Sequence, residues 1–212
     1  MKGKRKIYVG FIMFVICVPL LAFALVRYAE FNNSTLPFYG DNFTEVTASE
    51  AKKVNAFDFI NQDGKHFNNA ALNSKVWVAC FFFTTCPSIC PKMISGMGDI
   101  QKSYYNDVRL RMVSFTVDPY HDTPGVLKQY ARLRNINTRQ WNLVTGKKPD
   151  LYRYARKELK LMATDGDGGP TDFIHSDRLV LIDQNNYIRG YYDGTEPSEV
   201  KKLTDDIRKL LK

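Results

Sequence analysis

Hydrophobic and polar positions divide the 212-residue chain into three regimes. From Ile7 to Val26 twenty residues pass without a charge. As a helix rising ~1.5 Å per residue, they would span roughly 30 Å, the depth of a bilayer's hydrocarbon core. From Tyr28 to Val54 polar and aromatic residues alternate with no sustained period, which predicts a tether carrying one short helix near Ala48–Lys53. Residues 55–212 read as a folded domain, so the expected organisation is 1–27, 28–54 and 55–212.

Within that domain the periodicity changes repeatedly. Phe57-Asp58-Phe59-Ile60 and Lys65-His66-Phe67 flank Asn61-Gln62-Asp63-Gly64, and the Asp-Gly pair predicts a hairpin because both residues tolerate positive φ. Val76–Phe83 is apolar on both faces, the pattern of a central strand with a layer on each side. Pro91 suits the first turn of a helix, where its missing N–H costs nothing. Met93, Ile94, Met97, Ile100 and Tyr104 supply that helix with an inward stripe. Val108–Val117 predicts a second long strand. Thr123-Pro124 opens a helix whose stripe is Val126, Leu127, Tyr130, Ala131 and Leu133. A short strand at Trp141–Val144 precedes a helix at Pro149–Leu161, followed by a loop at Asp165–Pro170. Arg178–Asp183 and Tyr187–Tyr192 form a hairpin. A last helix starts at Pro197 with Val200, Leu203, Ile207, Leu210 and Leu211 inward. This order predicts an α/β sandwich around a mixed sheet.

Charge changes the picture only at the N-terminus. The net charge is +8, but Lys2, Lys4, Arg5, Lys6 and Arg27 flank the apolar run. Setting these five aside leaves 25 basic residues against 22 acidic ones, a net of +3, with no basic stripe to meet nucleic acid. Lysines ahead of the run favour a cytoplasmic N-terminus, which places the domain outside the bacterial inner membrane, on the periplasmic side. Ala22-Phe23-Ala24 resembles a signal-peptidase site, but the run exceeds the 7–15 residues usual for a signal core, so an anchor is the preferred reading. Cys17 does not fit a lipoprotein site, because Ile16 stands where a small residue is needed.

Chemistry concentrates at two of the four cysteines. Cys17 and Cys80 lie in apolar runs, where small thiols pack. Cys86 and Cys90 follow the central strand and open a helix, so both sulfurs face one target and the helix dipole favours thiolate. Thiols placed so suggest a thioredoxin-like fold. Three intervening residues, against two in a thioredoxin-type couple, permit a disulfide and leave room for a metal. A peroxidase proline-threonine pattern is missing, with Ala79 and Phe83 in its places. Structural zinc would need a second cysteine pair. Two thiolates and one imidazole suit Cu(I) and can accommodate Cu(II). Three histidines are available: His66 in a hairpin, His121 in a loop after a strand, and His175 ahead of a strand and after a glycine-rich loop. Asp118 and Asp122 read as turn and cap residues, with Asp118 and His121 kept as candidate supports for the donors.

Phe83-Thr84-Thr85-Cys86-Pro87-Ser88-Ile89-Cys90-Pro91, then Thr116-Val117-Asp118-Pro119-Tyr120-His121-Asp122-Thr123-Pro124, then His175-Ser176 before Leu179-Val180-Leu181-Ile182-Asp183, resemble the Sco/SenC family. Trp141-Asn142-Leu143-Val144-Thr145-Gly146 falls in the expected order, and the resemblance covers roughly residues 50 to 212. It implies a membrane-anchored, thioredoxin-like copper chaperone that binds copper through Cys86, Cys90 and His175. Delivery would be to the dinuclear copper site of a cytochrome c oxidase subunit, with a thiol reductant protein as second partner. A thiol-disulfide oxidoreductase acting on the oxidase's own cysteines is the alternative. The family commonly has acidic residues where this chain has Ser88 and Ile174, so negative charge near the site is reduced. That loss is expected to weaken cation affinity or alter partner choice.

Overall fold

A computed structural model describes residues 13–26, 35–165 and 173–212; the side chains of 42 and 164–175 also lie outside the described set. The chain forms two compact units, Met1–Thr35 and Leu36–Lys212. In the first, residues 13–26 form helix α1 with every side chain exposed. Residues 7–12 of the expected span lie outside the described residues. Among those described, no helix is long and apolar enough to cross a membrane.

The second unit is built on β5 (Val76–Phe82), whose seven residues are all buried. A strand with no polar face needs partners at both edges and a layer on both sides. It pairs in parallel with β6 (Leu110–Thr116), which pairs in parallel with β7 (Trp141–Thr145). The expected hairpin forms as β3 (Asp58–Asn61) and β4 (His66–Asn68), with Phe59 opposite Phe67. β10 (Arg178–Ile182) runs antiparallel to β5 on its other side, with Val180 opposite Ala79, and β11 (Ile188–Asp193) closes that edge. The seven strands lie in the order β11-β10-β5-β6-β7-β3-β4.

Helices complete the layers. α2 (Ile89–Ser103) connects β5 to β6 and α3 (Pro124–Leu133) connects β6 to β7. Right-handed crossovers between successive parallel strands put both on one face. Phe82 meets Tyr130 of α3 there, with ring centroids 5.7 Å apart. α5 (Pro197–Leu210) joins them: the Tyr104 hydroxyl beyond α2 donates to the Thr204 carbonyl at 2.6 Å. α4 (Lys148–Lys157) covers the opposite face, where Tyr154 and Phe57 close over Phe115. Gly146 enters this face under Phe59: a Cβ there would lie 2.7 Å from the Phe59 ring.

Four expectations need correction. No helix forms at Ala48–Lys53. Instead β1 (Phe38–Tyr39) and β2 (Glu45–Val46) pair, and Lys53 bridges to Tyr187. Arg189 holds the start of this segment. Its guanidinium donates to the Leu36 and Pro37 carbonyls, pairs with Asp183 at 2.9 Å and lies 4.0 Å from the Phe38 ring centroid. α4 stops at Lys157 rather than Leu161, because Lys160 turns the backbone at φ 57°. Leu133 ends α3 exposed rather than facing inward, and Asn135 turns at φ 54° just beyond it. Finally, part of the expected loop at Asp165–Pro170 and the residues before β10 belong to a two-stranded ladder, β8 (Ala163–Asp165) with β9 (Phe173–His175).

Phe115 is fully buried among Phe57, Phe59, Phe81 and Tyr154, at centroid distances of 5.2 to 5.9 Å. Phe115→Ala should therefore lower the stability of the domain by about 3–5 kcal/mol. A urea midpoint that moves by less than the equivalent of about 1 kcal/mol would contradict this placement of the core.

Candidate metal centre

The site begins where β5 ends. Once the chain leaves the sheet at Phe83, the Cys86 N–H donates back to the Phe83 carbonyl at 3.3 Å, a tight turn that aims the cysteine at the start of α2. The helix starts at Ile89, two residues before Pro91, so Cys90 sits inside its first turn. Ser88 occupies the cap position but makes no side-chain cap bond. The backbone N–H groups of Cys90 and Ser88 favour the thiolate form of Cys86. The Cys86 sulfur lies 3.9 Å from the Ser88 hydroxyl.

This geometry divides the pair electrostatically. Burial pushes the Cys86 thiol up, but the Cys90 and Ser88 N–H groups, with both side chains, outweigh it and hold it below its ordinary 9.0. For Cys90 burial dominates and pushes the thiol far upward. A backbone contact from Phe83 opposes the shift, while Cys86 and the nearby Cys80 add to it. Both are free thiols. One therefore ionises first, at the edge of solvent; the other keeps its proton behind it. Cys80 is fully buried, bonded to the Ser114 hydroxyl at 3.1 Å and pushed up to about 12 by burial, which suits a packing residue. Met93 and Met97 are likewise buried in the core.

A second loop, between β6 and α3, holds the cysteine loop in place. Asp122 is fully buried. Its carboxylate accepts from the Thr84 N–H at 3.1 Å, the Thr84 hydroxyl, and the Thr116 hydroxyl at 2.5 Å. The His121 Nδ1 lies 3.0 Å from the same carboxylate and 3.3 Å from the Thr84 hydroxyl. Asp118 stays within its own loop, accepting from the His121 N–H at 3.4 Å. Thr123, not Asp122, caps α3 by accepting from the Val126 N–H. Of the two proposed supports, His121 thus reaches the residue two before Cys86, while Asp118 braces His121. The functional residue missed from sequence is Asp122. Its proximity to Thr123-Pro124 reads as a cap, and nothing local shows that Thr84 and Thr116 converge on it.

His175 lies in β9 opposite Ala163, and its side chain lies outside the described residues. The chain leaving β9 enters β10 at Arg178. Because β10 runs antiparallel to β5, the chain entering β10 arrives at the edge from which β5 delivers Cys86. Among the described residues no three His, Cys, Asp or Glu side chains converge into a metal-holding group. Two thiols fit a soft cation, and a third donor would come from beyond the described side chains. Grooves of about 610 Å³ between α2 and α5, and about 500 Å³ near Tyr39, are not lined by either cysteine. Thr85, Pro87 and Ser88 are exposed around the pair, with Cys86 near the surface and Cys90 buried beneath it.

The chain is similar to several known proteins. A family model described as SCO1/SenC matches residues 45–212. The SCO1 protein homolog of Bacillus subtilis is 31% identical over 158 residues, covering 74% of this chain and 81% of the relative. The crystal structure of a SCO1/SenC family lipoprotein from Bacillus anthracis matches with a TM-score of 0.71 at 32% identity, over 77% of this chain and 97% of that one. BsSco, described as a Sco-family cytochrome c oxidase assembly protein with a disulfide switch, matches with a TM-score of 0.67 at 29% identity, over 78% and 96%. Copper-bound ScoI of Bradyrhizobium japonicum shares the fold, with a TM-score of 0.63 at 17% identity over 75% and 99%. The expected thioredoxin-like α/β fold with a mixed sheet is the fold of this chain.

Two measurements test the site. In the reduced protein, Cys86 should alkylate with a pH midpoint below 9.0 while Cys90 stays unmodified through the same range, because the shifts have opposite sign. Equal modification of both cysteines at every pH would contradict the division. Asp122→Asn turns an amide N–H toward groups that themselves donate, and should lower stability by about 3 kcal/mol. An unchanged denaturation midpoint would show that the carboxylate does not hold the two loops.

Proposed function

Because the chain belongs to the SCO1/SenC family, we propose that it is a membrane-anchored copper chaperone. It takes copper as cargo on Cys86, Cys90 and His175 and passes it to the dinuclear copper site of a cytochrome c oxidase subunit. The observation that carries this reading is the thiol pair itself, two sulfurs at one helix start in a family with copper-bound members. The apolar run Ile7–Val26 anchors the protein in the bacterial inner membrane, with the folded unit on the periplasmic side. A relative described as a lipoprotein supports membrane attachment.

The division of the thiols supplies a sequence of events. Cys86 offers the first thiolate, and copper bound there favours loss of the proton from Cys90, so loading releases protons. The two thiolates hold Cu(I), with the His175 imidazole completing the set. Transfer is ligand exchange: thiolates of a docked acceptor replace those of Cys86 and Cys90 one at a time. Oxidation of the pair to a disulfide, with loss of two electrons and two protons, removes both donors. A thiol reductant protein restores them by disulfide exchange and itself becomes oxidised.

The opposed thiol shifts also favour a second reading, in which the pair reduces the acceptor's cysteines without carrying metal. His175→Ala separates the two. For a chaperone, the variant should lose copper affinity by about tenfold or more while its Cys86–Cys90 disulfide still forms and reduces normally. Copper affinity equal to the parent's, measured by competition with a chromophoric chelator, would sink the three-donor reading.

A further inference from the structure

The β8–β9 ladder that carries His175 is three residue pairs long and separate from the seven-stranded sheet. A two-stranded ladder of that length is not stable alone, so something must hold it against the domain. The Ser176 N–H donates to the Met162 carbonyl at 3.0 Å, which makes Met162 and Ser176 a hydrogen-bonded pair at the base of the ladder. In antiparallel alternation the next pair, Ala163 and His175, is non-hydrogen-bonded, and the polar groups of Ala163 point away from β9. Arg156 meets them there: its Nη1 donates to the Ala163 carbonyl at 2.8 Å.

Arg156 is itself held. It leaves the last turn of α4, and its guanidinium lies over the buried Tyr152 ring, 5.9 Å from the centroid. The Tyr152 hydroxyl donates to the Val117 carbonyl at 2.9 Å, at the end of β6. Val117 opens the loop whose Asp122 grips Thr84 beside the cysteines. A continuous series of contacts therefore runs from the cysteine loop, through Tyr152 and Arg156, to the residue opposite His175.

We propose that Arg156 is a positioning residue that fixes the His175-bearing ladder relative to the thiol pair. It rests on the copper reading for its consequence and on backbone geometry for its mechanism, so two measurements on the full chain in detergent separate them. First, amide hydrogen exchange at Ser176 should accelerate about tenfold or more in Arg156→Ala and return toward the parent in Arg156→Lys, which restores a donor. Second, Arg156→Ala should weaken copper binding about tenfold or more in competition with a chelator, leaving the reduction potential of the cysteine pair unchanged. With His175 already replaced by alanine, Arg156→Ala should have no further effect on copper. Unchanged Ser176 exchange overturns the proposal. So does an equal loss of copper affinity in the His175→Ala background, since Arg156 would then act through the fold or the thiols. If His175→Ala alone binds copper like the parent, the three-donor reading fails, and Ser176 exchange still decides whether Arg156 holds the ladder.

Discussion

A single buried carboxylate holds the working end of this molecule together. Asp122 has no solvent of its own, so its charge is tolerable only where donors surround it. Those donors come from two loops: Thr84 from the cysteine loop, and Thr116 and His121 from its own strand and turn. Satisfying the carboxylate therefore fixes the distance between the ends of β5 and β6. The turn that aims Cys86 at α2 is built on that fixed base.

From there the chemistry of the pair follows from depth. The two sulfurs are four residues apart, yet their acidities move in opposite directions. Backbone N–H groups of Ser88 and Cys90 favour the Cys86 thiolate, and Cys90 is packed behind it against the core. Such a pair presents one thiolate to an incoming cation or disulfide and keeps a second in reserve. Metal transfer and disulfide exchange both begin with one available thiolate.

Much of the fold was legible because burial writes itself into periodicity. The doubly apolar run at Val76–Phe82, the Asp-Gly turn at 63–64 and the stripe on α5 each report a local rule that the tertiary structure obeys. The cysteines were legible by spacing, whereas His175 emerged only through resemblance, since one histidine before a strand has no period. Three features were not legible. The Leu36–Val46 strap depends on Arg189, some 150 residues away. β8 and β9 pair across a glycine-rich loop whose composition reads simply as irregular. Asp122 owes its role to hydroxyls 6 and 38 residues distant, which no local window contains.

The strap has a consequence for how the molecule meets copies of itself. β11 is the last strand on its side of the sheet, and an open edge invites a strand from another chain. Here Tyr39 and Phe43 set their rings against Tyr191 of that strand, Phe38 meets Tyr187, and Arg189 ties the carbonyls of Leu36 and Pro37. The opposite edge, β4, is three residues long, with His66 and Asn68 turned to solvent. Neither border therefore offers a long bare ladder for strand addition. The segment from Leu36 to Val46 thus guards the folded unit against edge-to-edge aggregation.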